Sequence, residues 1–117
     1  MAYIPKQGDI IKMNFNPTKG HEQKGYHRPA VVVSNASYNN FSRGIAIVCP
    51  ITNTDRGIPL QPKLDDRTTT SGVVMTEQVK ALDLTERKAE FIEKIPFDIL
   101  AEICDIVSGY SDIEKLP

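Results

Sequence analysis

Arg28-Pro29-Ala30-Val31-Val32-Val33-Ser34 is the stretch that decides the fold. Its apolar centre is continuous and largely β-branched, with no polar residue at alternate positions. A run of that kind belongs to a strand covered on both faces. Pro29 disfavours helical geometry at Arg28, so the arginine is extended and aimed by the strand it precedes. Downstream, residues 45–52 (IAIVCPIT) read as a second buried strand, in which Pro50 marks a bulge or the end of ladder pairing. Upstream, Ile11, Met13 and Phe15 alternate with polar residues in a half-buried strand that Pro17 ends.

The segments between are polar. Residues 16–27, NPTKGHEQKGYH, hold two lysines, a glutamate and both histidines, and read as an exposed hairpin loop longer than a structural turn requires. Residues 35–44 form a polar turn, residues 53–57 another, and residues 58–64, with two prolines, at best an irregular edge strand. Residues 73–82 are expected to be one strand whose second half alternates. A short helical piece is expected over residues 85–89. The closing helix has Pro96 at its first position, Phe97, Leu100, Ile103 and Val107 as a buried stripe, and Gly109 as its stop. The expected fold is mainly β with a C-terminal helix: a small barrel-like sheet of about five to seven strands, in one domain spanning residues 1–117.

A chain of 117 residues can bury one modest core without staples. At 40% hydrophobic and 25% charged residues the composition is that of a globular domain. No apolar run reaches the roughly 20 residues that span a bilayer, and the first residues lack the pattern of a secretory signal. A cytoplasmic location without membrane association is therefore expected. Cys49 and Cys104 lie in apolar stretches and read as reduced core thiols. Residues 1–67 carry nine Lys and Arg against five Asp and Glu, whereas residues 68–117 carry five against ten. The basic first part can present a positive face, or both sets can simply be solvated.

Common enzyme signatures are absent: no phosphate-cradling Gly-rich loop, no GxSxG, no HExxH and no carboxylate cluster with metal-ligand spacing. What remains is the loop His21-Glu22-Gln23-Lys24, the lone Arg28 and the strand-terminal Thr52. An arginine at a sheet rim can bind a phosphate through two parallel hydrogen bonds. An arginine beside a loop is also commonly a solvated charge or an ion-pair partner, and threonine commonly ends strands. Glu77 and Gln78 can meet bases or can form an ordinary solvent face.

Taken together, Phe15-Asn16-Pro17-Thr18-Lys19-Gly20-His21-Glu22-Gln23, Arg28-Pro29, Cys49-Pro50-Ile51-Thr52, Gly72-Val73-Val74 and Glu77-Gln78-Val79-Lys80 resemble the MazF/PemK family of toxins. The likeness runs in order along nearly the whole chain. It implies an SH3-like barrel of the CcdB/PemK-like toxin fold and a homodimer. It also implies an mRNA interferase, an endoribonuclease that cleaves single-stranded RNA at short sequences with no metal and no cofactor. The implied partner is a MazE/PemI-like antitoxin with an acidic disordered C-terminal segment. In such chemistry the RNA supplies the nucleophile, its 2′-hydroxyl, and the protein moves protons and stabilises the charged transition state.

The resemblance puts the catalytic arginine on Arg28 and the catalytic threonine on Thr52. An arginine with a pKa above roughly 12 is a poor base, so His21, Glu22 and Glu77 are the candidates for moving the proton. The PemK branch also has an arginine where this chain has Met75, a departure that favours an Arg28 and Thr52 centre. RNA contacts are expected from Lys19, Lys24 and Lys80 to phosphates and from Gln23, Asn39 and Gln78 to base edges. The alternative of the same fold is a toxin that binds and poisons DNA gyrase without cutting nucleic acid; such toxins lack the paired arginine and threonine.

Overall fold

The computed structural model describes residues 3–15 and 27–115. Its strands are β1 (Asp9–Asn14), β2 (His27–Val32), β3 (Ile45–Thr52), β4 (Val73–Val74), β5 (Lys80–Asp83) and β6 (Glu90–Lys94), with helices α1 (Ala36–Phe41) and α2 (Phe97–Gly109). They form a six-stranded sheet in the order β4-β3-β2-β1-β6, with β5 also on β3, and every pairing between named strands is antiparallel. Among the described residues the sheet stays open. Its edge at β6 pairs only with β1, and β4 is too short to bring the opposite edge round to meet it.

β2 and β3 lie at the centre, and residues 30–33 are buried as their composition requires. Successive side chains leave opposite faces of a strand, so the sheet divides its apolar residues between two cores. Ile10, Val31, Cys49, Ile51 and Val74 meet Ile99 and Ile103 of α2 on one face. Ile11, Met13, Ala30, Val32, Val48 and Leu84 fill the other. Both cysteines are free thiols, and burial pushes the Cys49 thiol up to about 12. Among the described residues no helix is long and apolar enough to cross a membrane.

Residues 73–82 are two strands rather than one. β4 pairs with Ile51 and Thr52, β5 with residues 45–48, and between them the chain lifts into a 3₁₀ turn, Thr76–Gln78. The cause is Pro50. Its carbonyl accepts from the Met75 N–H at 2.8 Å, but proline has no N–H to return, so the ladder breaks at that pair. Residues 85–89 make a single turn capped by Asp83, whose Oδ1 accepts from the Thr85 and Glu86 N–H groups. A helix does not follow because Lys88 takes a left-handed φ of 50°. The expected turn at residues 35–44 contains α1, capped by the Asn35 side chain on the Tyr38 N–H. Residues 58–64 contribute one bridge, Lys63 to Val73. In α2 the buried stripe is Ile99 and Ile103 flanked by Leu100, Cys104 and Val107, whereas Phe97 is 81% exposed. The helix runs through Gly109, and Pro96 is its cap rather than its first residue.

Edge strand β6 is tied to the loop before β4 by one carboxylate. Glu93 accepts from the N–H and hydroxyl of Thr70 at 2.9 and 2.7 Å, and from those of Thr69 at 3.1 and 2.9 Å. Partial burial opposes its ionisation, but these donors outweigh that and hold its pKa below the ordinary value. A depressed carboxylate stabilises the fold above its unfolded pKa and loses that contribution as pH falls through the folded one. Glu93→Gln is therefore expected to destabilise the protein by about 1 kcal/mol at pH 7. Urea unfolding should show that difference shrinking as the pH falls below the carboxylate range; a difference independent of pH would contradict it.

Candidate active site

Arg28 is the second residue of β2, and Thr52 is the last of β3. The strands pair as Ala30↔Pro50, Val31↔Cys49 and Val32↔Val48. Carried two residues further, that register sets Arg28 across from Thr52. Ala30, Val32 and Val48 belong to the second core, so alternation puts both polar residues on that face, past its apolar end. Their side chains line one pocket of about 250 Å³, together with Thr54, Arg56, Ile58, Gln61 and Met75.

Thr52 is oriented as a donor. Its Oγ1 accepts from the Thr54 N–H at 3.2 Å. A hydroxyl has one proton and two acceptor lone pairs, so the Thr52 proton is left for an oxygen in the pocket. Arg28 is exposed, and among the described residues it has no ion-pair partner. The pocket therefore offers a fork of N–H donors and one O–H donor, an arrangement suited to an anion carrying several oxygens.

Two backbone constraints hold the pocket. Gly72 has φ +120°, and a Cβ there would lie 2.2 Å from the Thr52 carbonyl oxygen. Only glycine lets the start of β4 pass so close to the end of β3. The second constraint is the Thr76 hydroxyl, wholly buried, which donates to the Leu60 carbonyl at 2.6 Å and lies 2.7 Å from the Tyr110 hydroxyl. With its single proton on Leu60, Thr76 accepts from Tyr110. Three segments meet there: the 3₁₀ turn, the end of α2, and the loop that supplies Arg56, Ile58 and Gln61. Leu60 itself has a left-handed φ of 66°, which costs about 1 kcal/mol in a residue with a Cβ.

The other expected site residues divide clearly. Lys19, His21, Glu22, Gln23 and Lys24 lie outside the described residues. Glu77 is exposed on the 3₁₀ turn and does not line the pocket, but both its carboxylate oxygens are 3.0 Å from Nε2 of Gln61, which does. Gln78, beside it, is exposed and also outside the pocket lining. Lys80 pairs across from Val48, on the face of Arg28 and Thr52, with its Nζ 5.6 Å from the centre of the Phe15 ring.

Asn39 is a correction. Expected to meet base edges, it is 5% exposed, and its amide is used internally. Nδ2 donates to the Pro5 and Ser34 carbonyls, and Oδ1 accepts from the Ser34 hydroxyl. Such a buried amide, fully hydrogen-bonded, braces α1 and has no edge free for a base. Conversely, Thr54, Arg56, Ile58 and Gln61 were not singled out from the sequence. The signal for them is the polar turn expected at residues 53–57, just after Thr52, in which the Asp55 side chain accepts from the Gly57 N–H. Among the described residues no three His, Cys, Asp or Glu side chains converge as metal ligands would.

The pocket lies at a sheet rim, and comparison with known proteins identifies the class of the chain that carries it. Residues 6–108 match the PemK-like, MazF-like toxin of type II toxin-antitoxin system family, and the chain belongs to that family. Over 87 residues it is 41% identical to the endoribonuclease toxin MazF of Escherichia coli strain K12, covering 74% of this chain and 76% of that one. It is 34% identical over 104 residues to the endoribonuclease toxin ChpB of the same strain, covering 83% and 85%. A crystal structure of MazE–MazF from Deinococcus radiodurans superposes with a TM-score of 0.82 at 37% identity, covering 93% of this chain and 96% of that one.

Gly72→Ala tests the close approach of β4 to Thr52. The clash is with backbone, so no side chain can rotate to relieve it. The expected loss is on the order of 3 kcal/mol, seen as a lower midpoint in thermal or urea unfolding. An unchanged midpoint would show that the strands do not pass as closely as described.

Proposed function

We propose that the pocket is the catalytic centre of a metal-independent endoribonuclease toxin, with Arg28 and Thr52 acting on the scissile phosphate of single-stranded RNA. The observation that carries this is the meeting of the two residues, distant in sequence, in one pocket at the end of β2 and β3. The 2′-hydroxyl attacks the adjacent phosphorus, the P–O5′ bond breaks, and the products are a 2′,3′-cyclic phosphate and a 5′-hydroxyl. As charge builds on the nonbridging oxygens, the Arg28 guanidinium neutralises it and the Thr52 hydroxyl donates to one of them. Arg28 also stabilises the departing 5′-oxygen, which takes a proton from water to become the 5′-hydroxyl.

The proton from the 2′-hydroxyl needs an acceptor. His21 and Glu22 belong to the segment joining β1 to β2, whose end adjoins Arg28, and we assign the role to that pair. Glu77 is less suited, because both its oxygens already accept from Gln61. Lys19, Lys24 and Lys80 serve phosphates, and Gln23 and Gln78 serve bases. The gyrase-binding alternative makes no use of a pocket built from an arginine and a donor hydroxyl.

The toxin is restrained in the cytoplasm by a MazE-like antitoxin whose acidic disordered segment competes with RNA for the basic pocket. It acts as a homodimer, for which exposed Phe41 and Phe97, at 84% and 81%, supply apolar surface.

Arg28→Ala and Thr52→Ala are each expected to lower single-turnover cleavage of a long RNA by roughly 10² to 10³, with unfolding midpoints unchanged. Wild-type rates from both folded variants would remove the site. Cleavage should persist in excess chelator and stop when the nucleotide before the cut is 2′-deoxy. Chelator-sensitive cutting that leaves 5′-phosphate ends would refute the mechanism.

A further inference from the structure

The pocket holds a second arginine. Arg56 lines it with Arg28, and among the described residues neither is in an ion pair. The protein treats Arg67 quite differently: its guanidinium forks onto both Asp65 and Asp98, with closest contacts of 2.8 Å. Asp55, the acid adjacent to Arg56, forms no ion pair with it, and its Oδ1 accepts from the Gly57 N–H at 2.9 Å. None of the residues lining the pocket is acidic, and Glu77 is held by Gln61. Two arginines thus line one small pocket and, among the described residues, neither is paired with a carboxylate. Cationic side chains lining one pocket with no acidic lining residue attract an anionic ligand, and two of them suit a ligand with more than one negative group.

Ile58, two residues on, is 46% exposed and faces the same pocket. It gives the cationic site an apolar wall, which matches a nucleotide, charged at its phosphate and flat and apolar at its base, better than it matches a run of acidic side chains.

We infer that Arg56 is a second phosphate-binding residue, which grips the phosphodiester next to the scissile one while Arg28 holds the scissile one. The inference rests on the RNA-cleaving role assigned to the pocket. Arg56 sits on the loop locked by Thr76 and Tyr110, so its contact sets the register of the strand over Thr52. It binds ground state and transition state alike, and so acts on affinity more than on rate.

The test uses a short RNA with one mapped cut site, and the same strand blocked by 2′-deoxy at the attacking residue. Affinity of the blocked strand is measured by fluorescence anisotropy across a salt series for wild type, Arg56→Ala and Arg56→Lys. Single neutral methylphosphonate linkages are then placed beside the scissile phosphate. Arg56→Ala is expected to weaken binding roughly 10- to 100-fold and to lower kcat less than about threefold. It should reduce the slope of log affinity against log salt by about 0.7, as loss of one phosphate contact on a single strand requires. One methylphosphonate position should weaken wild type and leave Arg56→Ala unaffected. Arg56→Lys should recover the salt slope but only part of the affinity, because lysine cannot form the fork.

An unchanged salt slope, or methylphosphonates that weaken Arg56→Ala as much as wild type, would overturn the inference. So would an Arg56→Ala that binds RNA normally but has lost affinity for an acidic antitoxin peptide. Arg28→Ala, run in parallel, separates the two levels. Impaired Arg28→Ala beside normal Arg56→Ala defeats this inference alone, whereas wild-type cleavage by Arg28→Ala defeats the catalytic assignment.

Discussion

Proline at position 50 is the constraint from which the working end of this protein develops. β3 is paired along both edges, to β2 on one side and to β4 and β5 on the other. A full ladder would have laid one continuous strand along that second edge. Pro50 accepts from the Met75 N–H but cannot donate, so the neighbouring chain leaves the sheet for one 3₁₀ turn and rejoins it at Lys80. Past that interruption β3 runs on, paired to β4, as far as Thr52, and the pocket opens at that rim.

What closes around the opening is held by few contacts. The buried hydroxyl of Thr76 fixes the loop at Leu60 and is itself fixed by Tyr110. The missing side chain of Gly72 lets β4 cross the backbone of Thr52. Neither residue touches the pocket, yet one sets its outer wall and the other its floor. A buried hydroxyl without partners would cost about 1–3 kcal/mol, so this bond is also part of why a leucine remains in left-handed geometry at the pocket's edge.

Charge follows the same division between holding and acting. Where arginine serves structure, as at Arg67 or at Arg87 on the Asn14 and Phe15 carbonyls, its donors are satisfied within the protein. In the pocket, Arg28 and Arg56 are in no ion pair among the described residues.

The sequence alone determined the centre of the fold and the principal polar pair. Residues 30–33 and 45–52 announce two-faced burial because they lack polar alternation, and Arg28, Thr52 and Gly72 stand in motifs short enough to be recognised. Pro50 was legible as a break in pairing, though not what the break would produce. Tertiary structure decided the rest. β6 (Glu90–Lys94) carries three charges in five residues and lies at an exposed edge, so local pattern gave it no strand signal; its partner β1 did. Asn39 looked like a surface amide until the fold brought the Pro5 carbonyl to it. Arg56 and Gln61 are ordinary loop residues until Thr76 pins their loop beside Arg28. Periodicity records which side chains avoid water, a property each segment holds by itself. Which hydrogen-bond partner a backbone or side-chain group finds depends on segments far away in the chain, and is settled only when they meet.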